Sequence, residues 1–254
     1  MKLACAVVVV LALPASLPAI AGDEVPQYLL AAVADTGRPA ADTQRDAERK
    51  PGESMAFAGV KPKSVVIELM PGGGYYTRLL SKAVGPEGRV YAVVPAPRPD
   101  APPDSPDRSL PIKALAADAG YRNITVLVQP IRALELPSKA DLVWTSNNYH
   151  DVHNVQGIDV LAFNKSVFPA LKPGGIYLVI DHAAATDAPA DVTSTLHRIR
   201  QDTVIQEVSA AGFVLDGQSG VLHNSGDSHE LKVFDPTIKG KTDQFMLKFR
   251  KPLH

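Results

Sequence analysis

The sequence predicts an α/β protein with a mostly parallel, seven-stranded sheet, and three observations support this. Apolar, β-branched runs alternate with helical patterns from Lys63 onward, as in sheets whose parallel strands are joined by helices. The first run leads through three consecutive glycines into a helical segment. Two further strand patterns close the chain and predict an antiparallel pair at the sheet edge. This combination is typical of doubly wound, Rossmann-like folds.

The strand and helix patterns follow one another in a regular order. Five parallel strands are predicted at Val65–Leu69, Val90–Val94, Ile124–Val128, Asp141–Thr145 and Ile176–Ile180. The terminal pair is predicted near Phe213–Gly217 and at Gln244–Arg250. Helices are predicted at Thr77–Val84, Ile158–Leu171 and Asp202–Ala211. Glycine and proline mark turns at Gly85–Gly88 and Lys172–Gly175.

The chain divides into three predicted segments. Residues 1–21 combine a basic start, an apolar run and the small-residue pattern Ala19-Ile20-Ala21, which predicts a cleaved signal peptide. The apolar run of roughly 11 residues is too short for a membrane-spanning helix of about 20 residues. Residues 22–62 are predicted to be a peripheral helical segment, and residues 63–254 a Rossmann-like domain. Seven prolines in residues 95–111 predict a loop there.

Composition and charge limit the partners of the protein. Hydrophobic residues make up 45% of the chain and the formal net charge is -1, which gives no support for a nucleic-acid partner. Cys5 is the only cysteine and would be lost with the signal peptide, leaving no disulfide and no cysteine nucleophile. We expect a periplasmic or secreted protein with a small-molecule substrate and no stable membrane insertion after cleavage.

The glycine loop after the first strand is the strongest sign of a ligand site. Gly72, Gly73 and Gly74 lack Cβ atoms, so backbone N–H groups there can approach a ligand closely. The following helix start adds partial positive charge. Glu68 precedes the loop, and its carboxylate suits a cationic or hydroxyl-bearing group better than a bare pyrophosphate.

Histidines and carboxylates follow two neighbouring strands. His150, Asp151 and His153 come after the fourth strand, and Asp181 and His182 come after the fifth. Ligands of open α/β sheets bind outside the carboxyl ends of the strands, so these five residues are expected to face one cleft as catalytic groups. A histidine could act as general base while an aspartate holds its tautomer.

Two other interpretations of these residues remain open. His150, His153, His182 and Asp181 could hold a divalent metal, and His197 is a further candidate in either arrangement. The metal is less favoured because the spacing matches no tight ligand motif. Alternatively, the residues occupy helix starts and loops without any chemical role.

Three segments of the sequence carry a resemblance to a known family, namely Val66–Gly74, Leu171–Gly175 and Ala210–Phe213. In these segments the chain resembles the class I S-adenosylmethionine-dependent methyltransferases. Three further segments resemble a subgroup of predicted, signal-bearing bacterial methyltransferases, namely Phe57–Pro62, Asn147–His153 and Phe234–Phe245. Two departures stand out. Met70 occupies the place of the first loop glycine, and no acid ends the second strand at Val90–Pro95.

The resemblance implies S-adenosylmethionine as cofactor, with a set of binding residues that comprises Glu68, Met70, Pro71, Gly72, Gly73, Gly74, Gln129 and Asn147. Gln129 is the residue available near adenine, and Asn147, with Asn148, would face cofactor and substrate. The implied function is an exported methyltransferase that acts on a small molecule or an envelope component. The alternative is a non-catalytic periplasmic protein that binds a nucleoside-like or other small ligand on the same fold.

Overall fold

The computed structural model describes residues 24–97, 101–102 and 104–253, and all seven predicted strands form within them. Their bounds are β1 Val65–Leu69, β2 Arg89–Pro95, β3 Ile124–Gln129, β4 Ala140–Ser146, β5 Leu171–His182, β6 Val214–Ser219 and β7 Gln244–Arg250. The predicted signal peptide, residues 1–21, lies outside the described residues. Among those residues, no helix has the length and apolarity needed to cross a membrane.

The strands form one sheet in the order β3-β2-β1-β4-β5-β7-β6. Strands β1 to β5 pair in parallel, whereas β7 runs antiparallel to both β5 and β6. This confirms the predicted fold class, including the antiparallel pair at the edge. The strand order reverses between β1 and β4, and ligands of such sheets bind at that switch point.

Helices cover both faces of the sheet. Before β1 lie α1 Gln27–Val33, α2 Ala40–Thr43, α3 Asp46–Arg49 and α4 Pro51–Ala58. Between β1 and β3 lie α5 Tyr75–Val84, α6 Leu110–Ala117 and a 3-10 turn at Ala119–Tyr121. The remaining helices are α7 Tyr149–His153, α8 Val160–Ala170, α9 Val192–Thr195 and α10 Gln201–Ala210.

The core has two layers, one on each face of the sheet. Val66 and Trp144 pack on one face with residues of α5, and Ile67 packs on the other with residues of α8 and α10. The expectation that the N-terminal helical segment is peripheral holds for α2 and α3, which bury no residue, but not for α1 and α4. Leu29 of α1 and Met55 of α4 are fully buried in the first layer, because α1 packs against α4 and α5, and α4 packs against β7.

Two local predictions need correction. The proline-rich loop ends before residue 111, because α6 begins at Leu110 with Pro111 in its first turn, where a missing N–H costs nothing. The predicted turn at Lys172–Gly175 lies inside the bounds of β5 as an irregularity. Ala140 pairs with Leu171, but Leu142 pairs with Ile176, so the four turn residues leave the ladder.

Candidate active site

The glycine loop joins β1 to α5 at the switch point of the sheet. Met70, Gly72 and Gly74 have positive φ values of 53°, 56° and 86°. A left-handed conformation costs a residue with a Cβ roughly 1–2 kcal/mol, so the backbone of Met70 is strained. The Met70 N–H donates to the carbonyl of Val93 at 2.9 Å, which ties the strained turn to β2.

The three glycines have different surroundings. A Cβ at Gly72 or Gly73 would meet nothing within 4 Å, whereas one at Gly74 would meet Leu115 and Ile112 of α6 at 3.0 and 3.1 Å. Gly74 therefore serves the packing of α6 against the start of α5. The ligand-accessible part of the loop is Gly72 and Gly73, both exposed, with Met70 and the neighbouring proline half-buried beside them.

Two asparagines at the end of β4 have different roles. Asn148 is buried, and its Nδ2 donates to the carbonyls of Leu69 and Met70 at 3.2 and 3.1 Å, while Thr145 bonds its Oδ1. Asn148 thus holds the glycine loop against β4. Asn147, the predicted cofactor residue, is half-buried with a φ of 58°. The predicted cofactor residues on β1, the loop and β4 are therefore adjacent.

Glu68 is a buried residue of β1, the strand that leads into the loop. It is the register partner of Trp144 in the β1–β4 ladder, and its exposure is only 4%. Glu68 Oε2, Thr77 Oγ1 and Trp144 Nε1 are buried without a hydrogen-bond partner among the described residues. Burial raises the pKa of Glu68 to about 8, although the positive charges of Arg49 and Arg78 oppose the rise. Glu68 is mainly protonated at neutral pH.

Arg49 of α3 is a site residue that sequence reasoning missed. Its guanidinium carbon lies 4.7 Å from the ring centre of Tyr75 and 5.5 Å from that of Tyr76. Burial lowers the pKa of Arg49. Its positive charge lowers the pKa values of both Glu68 and His182. The charged run around Arg49 predicted a solvated face, and no local pattern in the sequence distinguishes this residue.

His150 and Asp181 form a buried pair at the ends of β4 and β5. Asp181 Oδ1 lies 2.8 Å from His150 Nδ1, and Oδ2 accepts from the backbone N–H of His150 at 2.8 Å. The exposure of His150 is 2% and that of Asp181 is 0%. Because Nδ1–H donates to the carboxylate, the Nε2 lone pair remains available. Burial alone lowers the pKa of His150, but the charges of Asp181 and Asp151 outweigh it and hold the pKa above its ordinary value.

His182 stands beside this pair. The centres of the His150 and His182 rings are 6.1 Å apart, and Nδ1 of His182 lies 2.7 Å from the hydroxyl of Thr242. Burial lowers the pKa of His182 to about 4, so this imidazole is neutral at physiological pH. The structure thus brings together His150, Asp181 and His182, as the sequence predicts.

Asp151 and His197 complete the cluster on its solvent side. Asp151 Oδ1 lies 3.4 Å from His150 Nε2 and 3.6 Å from His197 Nδ1. The His197 ring is 5.4 Å from the His150 ring and 4.9 Å from Phe234. His197 also has a positive φ of 55°. It lies in the segment between α9 and α10, which brings it next to His150 and Asp151 although 46 residues separate it from Asp151.

Two predicted site residues, His153 and Gln129, make contacts outside the histidine cluster. His153 points away from the cluster, with Nε2 3.1 Å from Glu207 Oε2 of α10. Residues three apart are neighbours on a helix face, but the contact with Glu207 directs the His153 ring towards α10. Gln129 pairs in the ladder with Pro95, at the acid-free end of β2. Its Oε1 accepts from the N–H of Glu135 at 3.2 Å, and its Nε2 is buried without a partner among the described residues.

No protein-family model matches the chain, but several solved structures have the same fold. A SAM-dependent methyltransferase from Aquifex aeolicus aligns with a TM-score of 0.58 and 18% identity, over 82% of this chain and 92% of that chain. The glycopeptide N-methyltransferase MtfA, complexed with S-adenosyl-L-methionine, aligns at 0.54 and 18%, over 79% and 86%. A third methyltransferase, from Mesorhizobium loti, aligns at 0.51 and 16%, over 77% and 96%.

The chain has a methyltransferase fold. This confirms the fold implied by the class I resemblance. Because the identities do not exceed 18%, the likeness is one of fold. Membership of the signal-bearing subgroup stays a prediction. Within this methyltransferase fold, the glycine loop after β1 and the histidine cluster after β4 and β5 both lie at the carboxyl ends of the parallel strands.

Proposed function

We propose that this protein is an S-adenosylmethionine-dependent methyltransferase. The observation that carries the proposal is the open glycine loop at the switch point of a methyltransferase fold. Gly72 and Gly73 leave space in which a ligand can contact the backbone. Glu68 lies in β1, which leads into the loop, and its Oε2 is buried without a hydrogen-bond partner among the described residues. The bound cofactor would supply a methyl group on a positively charged sulfur, already activated for transfer.

The residues present fit the amino-acid end of this cofactor. Glu68 offers a carboxyl to an ammonium group, and Arg49, which forms no ion pair with a carboxylate in the described part of the chain, offers a cation to a carboxylate. The end of β2 offers no acid to ribose hydroxyls, because Val94 and Pro95 stand there. We therefore expect most of the binding energy to come from the loop.

The His150–Asp181 pair provides a base for the acceptor. Asp181 fixes the ring so that Nε2 can accept a proton. An acceptor hydroxyl, amine or thiol would pass its proton to Nε2 as its lone pair attacks the methyl carbon and the carbon–sulfur bond breaks. The protein's larger task is to align the acceptor in line with that bond and to exclude water.

The predicted signal peptide supports the proposed location and acceptor. Residues 1–21 support export, and an exported methyltransferase would act on a small molecule or an envelope component. The near-neutral charge of the chain favours such acceptors over nucleic acid.

Calorimetry of the chain without residues 1–21 tests the proposal, with S-adenosylmethionine and S-adenosylhomocysteine as ligands. Gly73→Val should weaken binding at least tenfold without lowering the melting temperature, because the new side chain enters open space at a position without a positive φ. Gly220→Val is the matched control, since its surroundings are equally open and it follows β6 at the far edge of the sheet. Absence of binding at high micromolar ligand would refute the proposal.

A non-catalytic protein that binds a nucleoside-like or other small ligand is the second candidate. The end of β2, where no acid stands, departs from the family pattern and therefore favours it modestly. Adenosine that binds as tightly as S-adenosylhomocysteine, and is unaffected by Gly73→Val, would support this candidate over the enzyme.

A further inference from the structure

We propose that His150, Asp151 and His197 form a binding site for a divalent transition metal, with Zn²⁺ as the best match. Ligand atoms of these three residues all lie within 4.8 Å of one another. Nε2 of His150 and Nδ1 of His197 lie 3.4 and 3.6 Å from the same oxygen of Asp151. A tetrahedral zinc ion with bonds of about 2.0–2.1 Å places its ligands roughly 3.4 Å apart.

The orientation of His150 supports a ligand role. Metal-binding histidines commonly donate their second N–H to a carboxylate, which fixes the tautomer and makes the coordinating nitrogen more basic. Asp181 makes this contact with Nδ1 of His150 at 2.8 Å. The Asp181 carboxylate is itself held by the backbone N–H groups of His150 and His182, each at 2.8 Å. Nε2 is therefore aimed at the Asp151 oxygen by a fully buried partner.

His197 is held in place by its neighbours on both sides. Its φ of 55° is uncommon for a residue with a Cβ, and such strain persists where the surrounding structure enforces it. Arg198, the next residue, is buried and makes two hydrogen bonds to the carboxylate of Asp227, at 2.8 and 3.0 Å. Phe234 packs against the ring at 4.9 Å. The backbone anchor and the aromatic contact direct the imidazole towards Asp151.

The cluster is open on one side. The side-chain exposures of Asp151 and His197 are 48% and 24%, so an ion can enter from solvent and keep one coordination position towards it. Three protein ligands with an open fourth position are the usual arrangement of catalytic zinc. The set differs from the one that the sequence suggested, because His153 contacts Glu207 and Nδ1 of His182 contacts Thr242.

A metal here would change how an acceptor is activated. Nε2 of His150 would coordinate the ion and would not take the acceptor's proton. An acceptor hydroxyl or thiol at the open position would bind as its conjugate base and release its proton to solvent. This refinement rests on the proposed function, whereas metal binding does not.

Titration of metal-free, untagged protein with Zn²⁺ alone tests the site. We expect one Zn²⁺ per chain with a micromolar or lower dissociation constant, measured by calorimetry and by metal analysis after dialysis. Asp151→Asn and His197→Ala should each weaken binding at least tenfold. Asp181→Asn, which keeps all three ligands, should weaken it by about ten- to a hundredfold, because it removes the partner that orients His150.

The control is His223→Ala. His223 and His229 contact opposite oxygens of Asp243 at 2.9 and 3.0 Å, and this second pair could capture zinc nonspecifically. His223→Ala should leave the affinity unchanged. The proposal fails if the folded parent binds no zinc, or if the parent and Asp151→Asn bind zinc with equal affinity. The Asp151 side chain is half-exposed, so this substitution should leave the protein folded. Unchanged S-adenosylhomocysteine binding in a protein that binds no zinc would leave the proposed function intact.

Discussion

Glu68 shows how a single buried carboxyl links stability to pH. Its ordinary pKa is 4.5, and burial raises the pKa to about 8 in the folded protein. Between these values the folded chain keeps a proton that the unfolded chain releases. The contribution of Glu68 to the free energy of unfolding is therefore fully present below about pH 4.5 and is lost as the pH rises towards 8. In the proposed enzyme, a ligand ammonium group near Glu68 would favour the ionised form.

Glu68→Gln should remove this pH dependence. The variant is expected to match the parent near pH 5 and to exceed its free energy of unfolding by a few kcal/mol near pH 8, because each pKa unit corresponds to about 1.4 kcal/mol. Urea unfolding at both pH values measures the difference. A constant difference between variant and parent across this range would show that Glu68 titrates normally.

At the scale of elements, α8 depends on the capping residue that precedes it. The carboxylate of Asp159 accepts hydrogen bonds from the N–H groups of Leu161 and Ala162 at 2.9 and 3.2 Å. The helix places Phe163 and Asn164 in the core, and Asn164 donates to the hydroxyl of Tyr149 in α7 at 2.7 Å. The start of α8 therefore also supports the helix that carries His150.

Asp159→Ala should destabilise the protein by about 1 kcal/mol, the usual cost of losing an N-cap side chain. Asp159→Asn should retain most of the stability. Asp191→Ala is the matched control, because Asp191 precedes α9 without making a side-chain cap. Thermal unfolding of the three variants distinguishes the capping bond from a general effect of removing a carboxylate. Equal losses in Asp159→Ala and Asp191→Ala would contradict the assignment.

At the scale of the whole molecule, one buried ion pair joins distant parts of the chain. Arg198 lies between α9 and α10, and Asp227 lies between β6 and β7. Both side chains are almost completely buried. Asp227 also accepts from the N–H of Asp243 at 2.7 Å. The pair therefore holds the segment beside His197 against the connection that leads into β7.

Asp227→Ala should cost about 3–5 kcal/mol, because it leaves the Arg198 charge buried and unpaired. The control, Glu87→Gln, removes an exposed pair with Lys63 and should cost less than about 1 kcal/mol. Chemical denaturation followed by circular dichroism measures both. A loss below about 1 kcal/mol in Asp227→Ala would show that water reaches the guanidinium.

Local patterns in the sequence determined the sheet and the loop. The bounds of β1 and β7 were predicted to the residue, because apolar, β-branched runs bounded by turn residues define strands without reference to distant contacts. The glycines after β1 could be assigned to a ligand loop for the same reason. The placement of His150 and Asp181 in one cleft also followed from strand order, since the carboxyl ends of parallel strands lie on the same side of a sheet.

Only the tertiary structure decided which side chains share the site. Arg49 comes from a four-residue helix whose position depends on packing against Tyr75 and Tyr76. His197 joins Asp151 from 46 residues away through a contact at 3.6 Å, while His153, two residues from Asp151, turns to Glu207. Periodicity encodes the local path of the backbone, whereas the direction of each side chain depends on long-range packing that no short segment contains.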